Sequence, residues 1–299
     1  MSLKDGLISK MRITLVGSYL DAILFYRSRF SNYLYVALNM KLKKFPIKVK
    51  LRNKEKKMIF KRRQMIPLLY DLEYDDENDI VSLDRLGYPV KLFSFIENGD
   101  LGPIFLTKDY DFLKVKDKTV IDIGANIADT SIYFAIEGAA HVIALEPYPK
   151  NYQIAKKNIE LNDLNTKITL LQAGGGPEDK EIFINSDYTG VCKPIEVSST
   201  GEKVSIISLT SLINRFDIDS ACLKLDCEGC EYDLICGTSV DVLKKFCRIQ
   251  IEYHYGYKDI CKKLKECGFK VNVSRPIYNR NVHAEQKDMY IGYIYASQN

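Results

Sequence analysis

The run Lys224-Leu-Asp226-Cys-Glu228-Gly229-Cys-Glu231 places three carboxylates within six residues, and Glu252 and His254 follow on the next apolar stretch. Alternation along an extended strand puts Lys224 and Asp226 on one face, and the turn at Gly229 brings Glu228 back toward them. Four carboxylates at one strand edge are unfavourable unless they are paired, protonated or metal-bound. Three chemistries satisfy that condition: a general base for a hydroxyl, a divalent-cation site, and a structural lattice with Lys224. His254 has the most suitable ordinary pKa for a base, and a neighbouring carboxylate could orient it. Asp226, Glu228 and Glu252 complete the candidate catalytic set. Oxygen ligands with one histidine also suit Mg²⁺ or Mn²⁺, but the base reading is preferred and no metal ligand is assigned.

A second constellation lies upstream. Val120-Ile-Asp-Ile-Gly-Ala-Asn-Ile-Ala-Asp129 is a β-branched run that stops at a glycine and opens a helix, and Val142-Ile-Ala-Leu-Glu146-Pro147 is a second run ending in a carboxylate. That is one half of a nucleotide-cofactor fold. A dinucleotide loop, G-x-G-x-x-G, needs its glycines so that backbone can approach a pyrophosphate, and only Gly124 stands in place; Asn126 and Ala128 occupy neighbouring positions. The loop can wrap a cofactor without a pyrophosphate, and Glu146 suits a ribose diol, so S-adenosylmethionine fits better than NAD. The cofactor-binding candidates are Asp122, Gly124, Ala125 and Asn126 after the first strand, Glu146 and Pro147 after the second, and Gln172, Ala173 and Gly174 after the third. Gly174-Gly-Gly176 lacks the Lys-Ser or Lys-Thr of a phosphate loop and reads as a tight turn.

The elements that must position these residues alternate. Strands are expected near 119–124, 141–146, 168–173, 221–226, 248–253, 269–274 and 289–296, with helices over 129–138, 149–162, 209–215, 230–237 and 257–267. The last two strands can pair antiparallel. Residues 181–208 exceed a simple connection and read as a substrate lid. The first forty residues show helical apolar spacing, Phe45 to Phe60 reads as a hairpin around Asn53-Lys54, Asp71 to Asp79 as an acidic loop, and Val90–Phe95 and Ile104–Leu106 as short strands.

The segments VIDIGANIAD, VIALEPYPKNYQIAKKNIELN, LKLDCEGCEYDLI and IQIEYH resemble, in order and spacing, those of FkbM-like S-adenosylmethionine-dependent methyltransferases, over residues 105 to 299. The resemblance implies an α/β, Rossmann-like class I methyltransferase sheet of seven strands with the last one antiparallel. A smaller N-terminal α+β segment precedes it, and the division falls at residues 1–108 and 109–299. It further implies that Asp122 helps to position the methionine amino group, that the loop backbone wraps the methionine moiety, that Glu146 takes the ribose hydroxyls, and that adenine lies against backbone near Gln172 to Gly174. The reaction it implies is O-methylation of a sugar, glycolipid or natural-product hydroxyl. The family usually carries a glycine where this chain has Ala128. The rival readings are an NAD-dependent oxidoreductase, which the missing glycines disfavour, and a catalytically silent binding or assembly protein. No Asn-Pro-Pro-aromatic motif follows the fourth strand, as amino-group methylation of a nucleobase would require.

The net charge of +4 conceals an asymmetry: residues 1–70 hold 17 Lys and Arg against Asp5, Asp21 and Glu55, a net of +14 that leaves −10 on the remainder. A basic amphipathic arm docks either on its own acidic domain or on an anionic partner: a membrane surface first, then an acidic protein, then a nucleic acid. No apolar run is long enough to span a bilayer and no leader cleavage pattern is visible, so the expectation is a cytoplasmic protein with peripheral membrane contact as an option. All 8 cysteines lie beyond position 190. They are expected to be reduced, with Cys227 and Cys230 as small packing residues and a metal site or a disulfide as alternatives.

Overall fold

The computed structural model describes residues 19–52, 57–61, 72–75, 77–95, 99, 104–105, 109–185, 197–278 and 290–298. The chain forms two compact units, residues 1–97 with 101–107, and residues 98–100 with 108–299.

In the first unit, helices α1 (Tyr19–Arg29) and α2 (Tyr33–Lys41) precede an antiparallel pair, β1 (Ile47–Lys50) and β2 (Lys57–Phe60). The expected hairpin is therefore present, although its Asn-Lys turn lies outside the described residues. Alternation in β1 turns Ile47 and Val49 inward onto Phe30, Val36 and Phe60, which are all buried. Asn32 fixes the helical hairpin to β1, its side chain donating to the Lys48 carbonyl (2.9 Å) and accepting from the Lys50 amide (2.9 Å). A three-stranded antiparallel sheet follows, β3 (Glu73–Asp75), β4 (Ile80–Arg85) and β5 (Tyr88–Phe93). The acidic segment expected as a loop is thus partly strand, because Asp75 accepts from the amides of Glu77 and Asn78 and closes the turn into β4. Ile104 and Phe105, expected in a strand, are helical and buried, and Phe105 packs edge-on against Phe95.

The second unit is built on β6 (Thr119–Ile123), α3 (Asp129–Ile136), β7 (His141–Leu145), α4 (Pro149–Leu161), β8 (Ile168–Leu171), β9 (Ala173–Gly176), β10 (Lys180–Ile184), β11 (Val197–Ser198), β12 (Glu202–Ser208), α5 (Leu209–Arg215), β13 (Ala221–Leu225), α6 (Glu231–Gly237), α7 (Val240–Leu243), β14 (Phe246–Tyr253), α8 (Lys258–Glu266), β15 (Lys270–Val273), β16 (Ile277–Tyr278) and β17 (Tyr290–Ser297). The main sheet runs β15-β17-β14-β13-β6-β7-β8, with β17 antiparallel to both its neighbours and β16 paired to it at the edge. This is the Rossmann-like α/β sheet expected, seven strands with one antiparallel. Its central strands are mainly apolar, as suits a sheet covered on both faces; all five residues of β13 are buried, and the charges within β6 and β13, Asp122 and Lys224, pair with each other. Helix starts follow local chemistry: Pro149 opens α4 at a position whose amide has no intrahelical partner, and Ser208 caps α5 by accepting from the Ser211 amide.

The expected lid is a second sheet among the described residues, ordered β11-β10-β12-β9. Its core is Tyr148, Ile182, Ile184, Val204 and Ile206, and Asp187 to Gly190 lies outside the described residues. Gly174 to Gly176, expected as a turn, is strand β9 and pairs in parallel with β12. The reason is close packing: a β-carbon on Gly176 would stand 2.4 Å from Ile206 Cγ2. No helix among the described residues is long and apolar enough to cross a membrane.

Candidate active site

Strand order reverses between β6 and β13, since β6 leads on to β7 on one side while β13 leads on to β14 on the other. In open α/β sheets ligands lie beyond the carboxyl ends of the strands at such a switch point. Both constellations meet there. Gly124 follows β6 with φ +81°, and a β-carbon on it would lie 1.8 Å from the Asp226 carbonyl oxygen. No other residue type fits that approach. The amides of Gly124 and Ala125 both donate to the Leu145 carbonyl (3.1 and 2.9 Å), which ties the loop to the end of β7. Asn126 (φ 49°) and Ala128 (φ 65°) are also left-handed, a conformation that a β-carbon disfavours.

Asp122 is fully buried. It pairs with the buried Lys224 ammonium (3.0 Å) and accepts from the hydroxyls of Thr130 (2.7 Å) and Ser131 (2.6 Å). Lys224 also donates to the Gly124 carbonyl (2.8 Å). Burial works against the ammonium, but the Asp122 and Asp226 carboxylates outweigh it and hold its pKa above the ordinary lysine value. Asp122, expected to help position the methionine amino group, stands at the base of the loop and anchors it through Lys224.

Glu146 ends β7, buried, and its two oxygens accept from the amides of Asn126 (2.9 Å) and Tyr148 (2.9 Å). Each oxygen keeps a lone pair, so the carboxylate can receive a vicinal diol while the amides hold its plane. Burial raises its pKa to about 7, against the pull of those amides. Pro147 is buried beside it. Gln172 donates to Glu202 (2.8 Å), and Ala173 and Gly174 are buried in β9. A diol accepted by Glu146 requires the ionised form. Affinity for S-adenosylhomocysteine is therefore expected to rise with pH up to about 7 and then level off, with proton release on binding below that pH. Calorimetry in two buffers of different ionisation enthalpy measures this, and Glu146→Gln should weaken binding and flatten the profile.

The acidic cluster is closed by His254, which is 2% exposed just beyond β14. Its Nδ1 lies 3.2 Å from Glu231, its Nε2 3.1 Å from Glu228 and 4.0 Å from Asp226. Glu231 also accepts from the amides of Cys227 (2.9 Å) and Gly229 (3.0 Å), which shapes the turn carrying Glu228 at φ 57°. Burial disfavours the imidazolium, but Glu231, Glu228 and Asp226 together raise the His254 pKa to about 10. Burial likewise opposes the Glu231 charge, and contact with His254 nonetheless brings its pKa below the ordinary value. The three surrounding carboxylates favour the protonated ring, so the surroundings of His254, expected as a base, suit a cation that balances the acidic cluster. Glu252 is half-buried in β14, opposite Tyr293 of β17. Ligand atoms of Asp226, Glu228 and His254 lie within 4.8 Å of one another, a spacing that could hold a divalent cation only after the ring gave up its proton.

Cys227 and Cys230 form a disulfide across the Glu228 turn. This corrects the expectation of reduced packing thiols. Lys224, Glu231 and the Thr130-Ser131 pair were outside the candidate site set; the first two stand in the same short run as Asp226 and Glu228, while the hydroxyls carried no signal apart from the fold.

The methyltransferase FkbM domain matches residues 122–271, half of the chain. Comparison with curated proteins gives no match. Among solved structures, the methyltransferase FkbM from Methylobacillus flagellatus KT is similar at 15% identity, covering 65% of this chain and 47% of that one, with a TM-score of 0.44. TrmK of M. capricolum, in complex with S-adenosylhomocysteine, is similar at 15% identity over 66% of this chain and 70% of that one, TM-score 0.40. The precorrin-6y C5,15-methyltransferase from Geobacter metallireducens GS-15 is similar at 16% identity over 64% and 88%, TM-score 0.36. With its domain match spanning both the glycine loop and the acidic cluster, the chain belongs to the FkbM methyltransferase domain family.

Proposed function

We propose that this protein transfers the methyl group of S-adenosylmethionine to a hydroxyl of a sugar, glycolipid or natural-product acceptor. The residues fit the cofactor: Gly124 lets the loop turn tightly against the Asp226 backbone at the switch point, and the Glu146 carboxylate is oriented for a diol. When bound, S-adenosylmethionine supplies an electrophilic methyl and a neutral leaving group. What remains for the protein is to orient the acceptor and to take its proton.

The observation that carries the reading is the placement of Asp226 at the switch point, backbone against Gly124 and side chain 28% exposed. Its nearest cations, Lys224 and His254, both stand 4.0 Å away, whereas Glu228 is in contact with the ring. Asp226 is thus the carboxylate open to a hydroxyl proton, and Glu228 and Glu231 hold the imidazolium that balances the charge. The test is transfer of a labelled methyl group to a panel of hydroxylated acceptors. Asp226→Asn is expected to keep S-adenosylhomocysteine affinity and to lower turnover about a hundredfold or more. Unchanged turnover would remove Asp226 from the role, and labelling of amino but not hydroxyl acceptors would overturn the reaction class.

A further inference from the structure

Helix α2 (Tyr33–Lys41) is apolar on two sides. Val36 is buried in the core of the first unit, with Tyr33 and Met40 packed against it. The other side carries Leu34, Tyr35, Leu38 and Leu42, which are 61%, 46%, 56% and 49% exposed. Those positions fall within about a quarter-turn to a third of the helix circumference at 3.6 residues per turn, so they form one continuous stripe. A helix that is hydrophobic all round is ordinarily buried on every side. Here one side has no cover from the described chain.

We propose that this stripe is a docking face for an anionic lipid surface. Charge selects that occupant. Lys41, Lys43 and Lys44 are exposed at the carboxyl end of the stripe, and residues 19–52 hold eight Lys and Arg against Asp21 alone. A leucine stripe with a basic collar is the pattern of a helix lying in the headgroup region, apolar face inward and ammonium groups against phosphate. A second copy of this chain would bring the same positive charge to the interface, and nucleic acid offers nothing for three exposed leucines. The inference is independent of the acceptor and of the site residues.

The test is co-sedimentation of the full chain with vesicles of phosphatidylcholine containing phosphatidylglycerol, against vesicles of phosphatidylcholine alone. The protein is expected to pellet with the anionic vesicles at low salt and to be released as salt rises. Leu34→Ser/Leu38→Ser/Leu42→Ser should lower the partition coefficient at least about tenfold, and Lys43→Glu/Lys44→Glu by about fivefold or more per residue. Both variants change exposed side chains, and circular dichroism spectra and thermal unfolding like those of the native chain would show that they fold. Failure of the native chain to pellet, equal pelleting with both vesicle types, or variants that bind like the native chain would overturn the proposal. Absence of vesicle binding alongside binding to an acidic polypeptide such as polyglutamate would assign the face to a protein partner instead.

Discussion

Gly124→Ala is expected to abolish S-adenosylhomocysteine binding and to destabilise the fold by on the order of 4 kcal/mol. Two independent effects act at this position. The backbone sits at φ +81°, where a β-carbon is disfavoured by about 1–2 kcal/mol. The larger effect is steric: the added carbon would lie 1.8 Å from the Asp226 carbonyl oxygen and 2.7 Å from its carbon. Backbone on both sides is pinned, by the Gly124 and Ala125 amides on Leu145 and by the Asp226 amide on Ile123 (3.1 Å). Relief therefore requires the ends of β6 and β13 to part, which widens the switch point and displaces Asp226 together with the loop. Urea denaturation and calorimetric titration read the two losses separately. A variant that binds and unfolds like the native protein would show that the two strand ends do not approach as described.

Lys224→Met is expected to remove about 3–5 kcal/mol of stability, because it leaves the Asp122 carboxylate buried without its counter-ion. Asp122 is 0% exposed, and the two hydroxyls that donate to it cannot replace a full charge. The loop would also lose the ammonium that holds the Gly124 carbonyl. Adding Asp122→Asn to the same chain removes the stranded charge and should recover a large part of the loss, so the coupling between the two positions is the informative quantity. The raised lysine pKa gives the sign of the pH response: this contribution is complete at neutral pH and is lost only as strongly alkaline conditions deprotonate the ammonium. A loss below about 1 kcal/mol for the single variant, or additive effects in the pair, would contradict the buried-pair account.

Much of this site was legible in the residues because its parts are local. The strand β6, its glycine and the start of α3 are written as an apolar run, a breaker and a helical period, and Glu146 follows at the end of the next run. The parallel sheet followed from alternating periods, and the antiparallel edge from the order of the last strands. What periodicity could not give was the partner across space. Lys224 and Asp122 are adjacent only because β6 and β13 pair in register, and that pairing lets Asp122 anchor the loop through Lys224. The surroundings of His254 were hidden for the same reason: its ordinary pKa suggests a base, while three carboxylates converging from the β13 turn favour its cationic form. The glycine triplet of β9 was read as a turn because composition favours turns. Its true cause is the bulk of Ile206, Ile123 and Leu234 pressing on the strand.

Calorimetric titration of the native protein with S-adenosylhomocysteine, with NAD as the parallel ligand, tests the central claim most directly. Single-site binding of S-adenosylhomocysteine and none of NAD is the predicted result, since the loop offers one glycine and a diol-ready carboxylate but no cradle for a pyrophosphate. A folded native protein that binds NAD, or that binds neither ligand at any pH between 6 and about 8, where Glu146 ionises, would contradict it.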